Sequence, residues 1–97
     1  MSENLVFRML KKVPKGKVTT YGALAKATGL HPRQVAAILR KNYDVNIPCH
    51  RVVMSNGNLG GYNRGVRNKA LLLGCEGITV KNSKVKNLRQ YLFTNFL

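Results

Sequence analysis

The chain has 97 residues, enough for one small domain with a modest core. Seventeen Lys and Arg against three Asp and Glu give a net charge of +14. This excess favours a polyanionic partner, because neutralising phosphates supplies most non-specific affinity for nucleic acids. A membrane partner is not expected, since there is no long apolar run and no strongly amphipathic basic helix. The residues after Met1 lack a signal-peptide pattern, and two cysteines, one of them beside a candidate base, predict an intracellular chain with free thiols.

The first part of the chain is predicted to be helical. Apolar residues at helical spacing predict a helix over residues 3–12. A second helix is expected to begin after Thr19 or Thr20 as N-cap and to end at Gly29.

A third helix is predicted from Pro32 to near Asn42, since proline is well tolerated in a first helical turn. Together with the second helix and its glycine turn, it forms a helix-turn-helix candidate over residues 20–41. This pattern alone is weak, because many helical hairpins bind nothing. The positive charge strengthens it.

The segment 43–65 is rich in Asn, Gly and Pro and is predicted to be irregular, with short extended pieces at 51–54 and 58–62. A fourth helix is expected to follow and to close at Gly74 or Gly77. Four of its apolar residues are expected to face inward: Val66, Ala70, Leu71 and Leu73.

Residues 78–97 are basic and partly apolar, and this segment could be either a docking helix or a mobile tail. The predicted fold class is therefore mainly α: a small single domain with a winged-helix-like helix-turn-helix and an irregular active-site loop with short extended pieces.

The most informative segment is Ile47–Val53, which sets Cys49 beside His50 directly after Pro48. A thiol becomes a useful nucleophile as thiolate, and a neighbouring imidazole, directly or through water, can make it one. In a regular strand the two side chains would point to opposite faces, so we expect a bend or a bridging water here. A buried, inert thiol is the simpler alternative for Cys49.

An imidazole that acts as a base needs an acceptor on its far nitrogen. Glu76, at the end of the last predicted helix, is the best placed carboxylate, since Glu3 lies in a predicted surface helix and Asp44 in a loop. Four groups could ligate a metal, but their spacing fits no zinc motif, so no metal is expected: His31, Cys49, His50 and Cys75.

Several further pieces accompany the cysteine motif in a fixed order. They are Pro14-x-Gly16, Thr20-Tyr21-Gly22-x-Leu24-Ala25, Arg33-x-Val35, Asn42, Ile47-Pro48-Cys49-His50-Arg51-Val52, Gly60-Gly61-Tyr62, Lys69-x-x-Leu72-Leu73 and Glu76-Gly77. With them the chain resembles the active-site domain of O6-alkylguanine-DNA alkyltransferases. The resemblance implies an active-site and DNA-binding domain over residues 1–78, with 79–97 as a basic extension of unknown role.

The resemblance implies that Cys49 takes the alkyl group from O6 of a damaged guanine and keeps it, so that each molecule reacts once. No cofactor is needed. The cysteine would be activated through water by His50 and Glu76, and the phenol of Tyr21 or the ammonium of Lys69 could protonate the leaving base. The implied catalytic residues are Cys49, His50, Glu76, Asn42, Tyr21 and Lys69.

The implied partner is double-stranded DNA with an O6-alkylguanine, bound by a monomer through the minor groove, with the damaged base flipped out. Arg33 would fill the vacated stack, and Ala36 and Ala37 would let the helix approach the groove. The implied DNA-binding residues are Thr20, Tyr21, Arg33, Gln34, Ala36, Ala37 and Arg40, and the implied pocket residues are Val52, Gly61, Tyr62 and Asn63.

Two residues depart from the family pattern, because Asn63 stands where serine is common and Arg64 where a small residue is usual. Alkyl-group preference is therefore open. A lesion sensor that binds O6-alkylguanine without transfer and recruits other repair proteins is the alternative, although such proteins usually lack the cysteine. A helix-turn-helix transcription factor would leave Cys49, His50 and Glu76 without a role.

Overall fold

The computed structural model describes residues 2–44 and 46–96. Its first helix, α1 (Ser2–Leu10), ends two residues before the predicted limit. The amides of Lys12 and Val13 donate to carbonyls three residues back, which tightens the chain ahead of Pro14. The side chain of Glu3, the alternative carboxylate, lies outside the described residues.

The next two helices, α2 (Tyr21–Thr28) and α3 (Pro32–Arg40), form the predicted helix-turn-helix. Thr20 is the N-cap of α2, since its hydroxyl accepts from the Ala23 amide at 3.0 Å. Gly29 closes α2 in the left-handed conformation that glycine adopts without strain, with φ of 75°.

The start of α3 is a capping box that the sequence analysis did not identify. His31 Nδ1 accepts from the Arg33 amide at 3.1 Å, and Gln34 Oε1 accepts from the His31 amide at 2.8 Å. The helix ends at Arg40, two residues before its predicted limit, with Lys41 as C-cap.

The active-site segment is a single turn of 3₁₀ helix (Cys49–Arg51), followed by strand β2 (Val52–Val53). Strand β2 pairs in parallel with β1 (Thr19–Thr20), in register Thr19 with Val52. Because β1 runs directly into α2, this pairing brings the start of the helix-turn-helix beside the cysteine turn.

The fourth helix, α4 (Val66–Cys75), buries Lys69 and Leu73. The prediction that Val66 and Leu71 face inward is wrong, since they are 39% and 66% exposed. Residues three or four apart share a helix face, so the face that buries Lys69 and Leu73 turns Leu71 to the opposite side. The inner face thus carries a lysine where apolarity alone predicted a leucine.

The carboxyl-terminal segment packs on the domain. It forms an antiparallel hairpin of β3 (Val80–Lys81) and β4 (Lys84–Val85), then the short helix α5 (Leu88–Tyr91). Beyond α5 the backbone pairs with Val18, whose amide donates to the Tyr91 carbonyl at 2.8 Å. Of the two alternatives left open for this tail, docking is the one observed.

Two apolar clusters fill the interior. The first joins α1, the helix-turn-helix and the cysteine turn: Val6, Leu10, Val13, Leu24, Ala25, Val35, Leu39, Ile47, Cys49 and Val52. The second lies between β2, α4 and the tail: Val18, Val53, Leu59, Leu73, Ile78 and Val85. The predicted mainly α fold with a helix-turn-helix is confirmed. Among the described helices, none is both long enough and apolar enough to cross a membrane.

Candidate active site

Cys49 is the first residue of the 3₁₀ turn and belongs to the first cluster, and it is only 8% exposed. The side-chain amide of Asn42 donates to its sulfur, with Nδ2 and Sγ 2.7 Å apart. Burial raises the pKa of the Cys49 thiol, while the Asn42 hydrogen bond and the charges of Lys69 and Arg64 lower it. The thiolate, when it forms, therefore has a hydrogen-bond donor and two cations to stabilise it.

His50 and Glu76 form a hydrogen-bonded pair, with Nε2 and Oε2 2.8 Å apart. Because a carboxylate only accepts, Nε2 carries the proton and Nδ1 is the free base of the neutral ring. The predicted choice of Glu76 over Asp44 agrees with this contact. The 3₁₀ turn supplies the bend that a Cys-His pair needs.

Arg51 is a member of the site that the sequence analysis did not assign. Its Nη2 and Nε atoms donate to the Glu76 carboxylate at 2.8 and 3.0 Å, and Nη1 donates to the Val13 carbonyl at 3.0 Å. Burial would raise the pKa of Glu76, but the hydrogen bonds and charges of Arg51 and His50 lower it below its usual value. The available signal was the position of Arg51 next to His50 in a chain that has only three acidic residues.

Lys69 is fully buried on the inner face of α4. Its ammonium donates to the Leu59 carbonyl and, at 3.2 Å, to the Gly61 carbonyl. Burial lowers the pKa of Lys69 to about 8, although the charge of Cys49 opposes this. This lysine can therefore exchange a proton near neutral pH.

Tyr21, the first residue of α2, packs between Lys69 and the loop at Gly60. Lys69 Nζ lies 5.9 Å from the centre of its ring. Gly60 has φ of 71°, and a Cβ there would meet the Tyr21 hydroxyl at 3.3 Å, so both the conformation and the contact favour glycine. Burial raises the pKa of the Tyr21 phenol, as it does for Tyr62.

A cavity of about 180 Å³ opens at the cysteine. It is lined by Asn42, Asp44, Ile47, Cys49, His50, Tyr62, Asn63, Arg64 and Leu72. Two of the predicted pocket residues, Tyr62 and Asn63, are among them. The Val52 side chain is instead buried in the first cluster, and exposed Gly61 gives its carbonyl to Lys69.

Apart from Tyr21, which packs beside Lys69 and Gly60, the predicted DNA-binding residues divide into two groups. Arg33, Ala37 and Arg40 are exposed and share one face of α3, since they follow the i, i+4, i+7 spacing. Ala36 is half-buried next to them. The side-chain oxygens of Thr20 and Gln34 cap helices, so they already accept backbone hydrogen bonds.

Asn63 and Arg64 also contact the chain that leaves α3, which was not predicted from the sequence. Their departure from the family pattern was the available signal. No group of three or more His, Cys, Asp or Glu side chains that could hold a metal ion is found in the part of the chain that the structure describes.

Comparison with known families places residues 2–78 in a model described as the DNA-binding domain of 6-O-methylguanine DNA methyltransferase. This match confirms the resemblance inferred from the motifs and covers most of the chain.

Curated relatives agree. The chain is 47% identical over 76 residues to a methylated-DNA–protein-cysteine methyltransferase of Saccharolobus solfataricus, covering 77% of this chain and 50% of that protein. It is 42% identical over 94 residues to a bifunctional methyltransferase/endonuclease of Picrophilus torridus, covering 94% and 31%. The chain thus spans half or less of the length of these two relatives.

Solved structures share the fold. The O6-methylguanine-DNA methyltransferase of Pyrococcus kodakaraensis matches with a TM-score of 0.73 at 44% identity, over 78% of this chain and 46% of that chain. Atl1 of S. pombe, in complex with damaged DNA containing O6-carboxymethylguanine, matches with a TM-score of 0.84 at 27% identity, over 95% and 94%.

Proposed function

Because this chain belongs to the 6-O-methylguanine DNA methyltransferase family, we propose that it repairs DNA by transferring the alkyl group of an O6-alkylguanine to its own Cys49. Each molecule reacts once. The observation that carries the proposal is the setting of Cys49: its sulfur borders the cavity, accepts a hydrogen bond from Asn42 and is followed directly by the His50–Glu76 pair.

The reaction is a displacement at the alkyl carbon. The thiol proton passes to the free Nδ1 of His50, directly or through water, and Glu76 stabilises the imidazolium that forms. The Cys49 sulfur then forms a bond to the alkyl carbon while the bond from that carbon to guanine O6 breaks. The electron pair stays on the guanine, which takes up a proton.

Tyr21 and Lys69 are the two candidates for that proton donor. Lys69 is supported by its pKa of about 8, which makes the ammonium a better acid than an exposed lysine. Tyr21 adjoins Gly60, at the loop that leads to the cavity residue Tyr62.

The lesion reaches the thiol as a flipped base, since O6 is inaccessible in stacked duplex DNA. We assign DNA contact to the exposed face of α3, where Arg33 and Arg40 flank Ala37. A small residue between two cations suits a helix that enters the narrow minor groove, with Arg33 occupying the place of the flipped base.

A lesion sensor is the second candidate. The observation that favours it is the match to Atl1, which binds damaged DNA in its structure and matches over 95% of this chain and 94% of its own, at the higher of the two TM-scores given above. The burial that raises the pKa of Cys49 also fits a thiol that reacts slowly.

The test is the intact mass of the protein after incubation with duplex DNA that contains O6-methylguanine. We expect a stoichiometric gain of one methyl group that maps to Cys49. The variant Cys75→Ser, which removes the other and exposed thiol, should keep the gain. The variant Cys49→Ser should lose the gain and retain lesion binding. Binding without transfer by the unaltered chain would establish the sensor, and loss of both would overturn both candidates.

A further inference from the structure

Two consecutive side chains tie the rim of the cavity to the chain that leaves α3. Asn63 Nδ2 donates to the carbonyls of Arg40 and Asn42, at 3.1 and 2.5 Å. Arg64 Nη2 donates to the carbonyl of Tyr43. These carbonyls belong to the last turn of a helix and the residues just after it, where intrahelical partners run out.

The residue at the centre of this connection also holds the candidate nucleophile. The Asn42 carbonyl accepts from Asn63, while the Asn42 side chain donates to Cys49 Sγ. A displacement of the rim therefore moves the group that orients the sulfur.

We propose that Asn63 and Arg64 form a latch that clamps the cavity rim to the carboxyl end of α3 and thereby fixes Asn42 against the Cys49 sulfur. Both are positioning residues, and the inference rests on the function proposed above. Through the latch, DNA that engages the exposed face of α3 is mechanically linked to the thiol.

The orientation of the Asn63 amide supports the latch. Carbonyls accept only from the nitrogen end of an amide, so the two contacts fix which way the side chain points. The buried Oδ1 atom then has no hydrogen-bond partner among the described residues. A side chain that leaves a buried acceptor unpaired is held by its other contacts.

Arg64 adds a charge to the latch. It lines the cavity, and its guanidinium lowers the pKa of the Cys49 thiol. The titratable and charged groups around that thiol are Lys69, Arg64, Tyr21, Tyr62, the adjacent His50 and Asp44, which lines the same cavity. Removing Arg64 leaves Lys69 as the remaining cation that lowers the thiol pKa.

The test measures the rate of Cys49 alkylation by iodoacetamide against pH, in a Cys75→Ser background so that a single thiol reports. We expect Arg64→Gln to raise the apparent pKa of the Cys49 thiol and to slow its alkylation at neutral pH about threefold. Arg64→Lys keeps the charge and should restore the profile.

Asn63→Ala and the milder Asn63→Ser test the hydrogen bonds of the latch. We expect the single-turnover rate of methyl transfer at saturating lesion DNA to fall about tenfold for Asn63→Ala, with lesion affinity changed less than about twofold. Asn56→Ala is the matched control, because Asn56 supports only its own turn by accepting from the Asn58 amide.

Unchanged alkylation in Arg64→Gln together with unchanged transfer in both Asn63 variants would overturn the latch. If the unaltered chain transfers no methyl group, the alkylation profiles of Arg64→Gln and Asn63→Ala still decide it, since moving Asn42 away from the Cys49 sulfur should slow alkylation in both variants. Failure of the latch and failure of the proposed function are therefore separate results. Arg64 is exposed, so its variants keep the test valid should an Asn63 variant fail to fold.

Discussion

Asn42 Nδ2 lies 2.7 Å from Cys49 Sγ, so a residue two positions beyond the end of α3 donates directly to the candidate nucleophile. Asn42 is itself held by its neighbours, since its Oδ1 accepts from the Asp44 amide at 3.0 Å. A thiolate gains more from such a donor than a neutral thiol does, and the contact lowers the thiol pKa against the opposing effect of burial.

Replacing this donor should therefore slow the reaction of the Cys49 thiol with an alkylating agent. We expect Asn42→Asp, which has nearly the same shape but presents a negative charge, to raise the Cys49 pKa and to reduce alkylation by iodoacetamide at neutral pH about tenfold or more. The measurement is the pH profile of alkylation in a Cys75→Ser background. A profile that matches that of unaltered Asn42 would show that the contact has no electrostatic role.

Removing the carboxylate partner of His50 should affect transfer and acid stability together. We expect Glu76→Gln to slow single-turnover transfer about tenfold or more, because the imidazolium loses its counter-charge. The folded-state pKa of Glu76 is depressed, so its stabilisation is present above the usual value of 4.5 and is lost as pH falls through the folded pKa. The stability difference between the two proteins should therefore shrink in acid.

The control for this variant is Asp44→Asn, which removes the carboxylate that lines the cavity beside Asn42. It should slow transfer less than Glu76→Gln does, since the Asp44 carboxylate accepts from the Asn46 amide and has no contact with His50 among the hydrogen bonds of the described residues. Equal rates for Glu76→Gln and the unaltered chain would remove His50 and Glu76 from the mechanism.

Arg33 should govern lesion binding. We expect Arg33→Ala to weaken binding to O6-methylguanine DNA by about 1–3 kcal/mol, since its side chain would no longer replace the flipped base. Fluorescence anisotropy with matched damaged and undamaged duplexes measures this. Lys26→Ala, an exposed cation on α2, should lower affinity only slightly. Equal losses of affinity in the two variants would indicate that Arg33 contributes only a phosphate contact and does not replace the flipped base.

Buried Lys69 should make stability depend on pH. Its folded pKa of about 8 lies below the usual 10.5, so between these values the unfolded state binds more protons and stability rises with pH. We expect a gain of up to about 3 kcal/mol across this window, abolished in Lys69→Met. Urea unfolding in a Cys49→Ser background measures it without overlap from the thiol.

Lys86→Met, at an exposed position of the tail, is the control and should leave the pH dependence in place. A flat stability profile in the protein with Lys69 would mean that the ammonium is not desolvated as the structure indicates.

The docked tail should contribute to the stability of the domain. Phe93 packs against the first cluster and edge-on to Phe96, with ring centres 5.4 Å apart. We expect Phe93→Ala to lower the free energy of unfolding by about 1–3 kcal/mol, less than a fully buried phenylalanine, because Phe93 is half-buried. Leu92 is more exposed than Phe93, so Leu92→Ala should lower the free energy of unfolding less. Equally small losses in the two variants would indicate that the tail contributes little to the stability of the domain.

Much of this protein could be read from its sequence because the deciding signals are local. The threonine cap and glycine stop of α2, the proline at the start of α3 and the Pro-Cys-His run each act through residues a few positions apart. The pairing of His50 with Glu76 was also accessible, since the chain has few carboxylates from which to choose.

Tertiary structure alone decided the remainder, because it depends on contacts between distant residues. Lys69 and not Leu71 faces inward, because the carbonyls of Leu59 and Gly61 accept hydrogen bonds from its ammonium group. The helical periodicity of apolar residues gives no indication of these contacts. Arg51 joined Glu76 across 25 residues, and the tail docked through backbone hydrogen bonds of Tyr91 and Phe93 with Val18. A local sequence pattern indicates the secondary structure that a residue favours, whereas its tertiary contact partner is determined only when the chain folds.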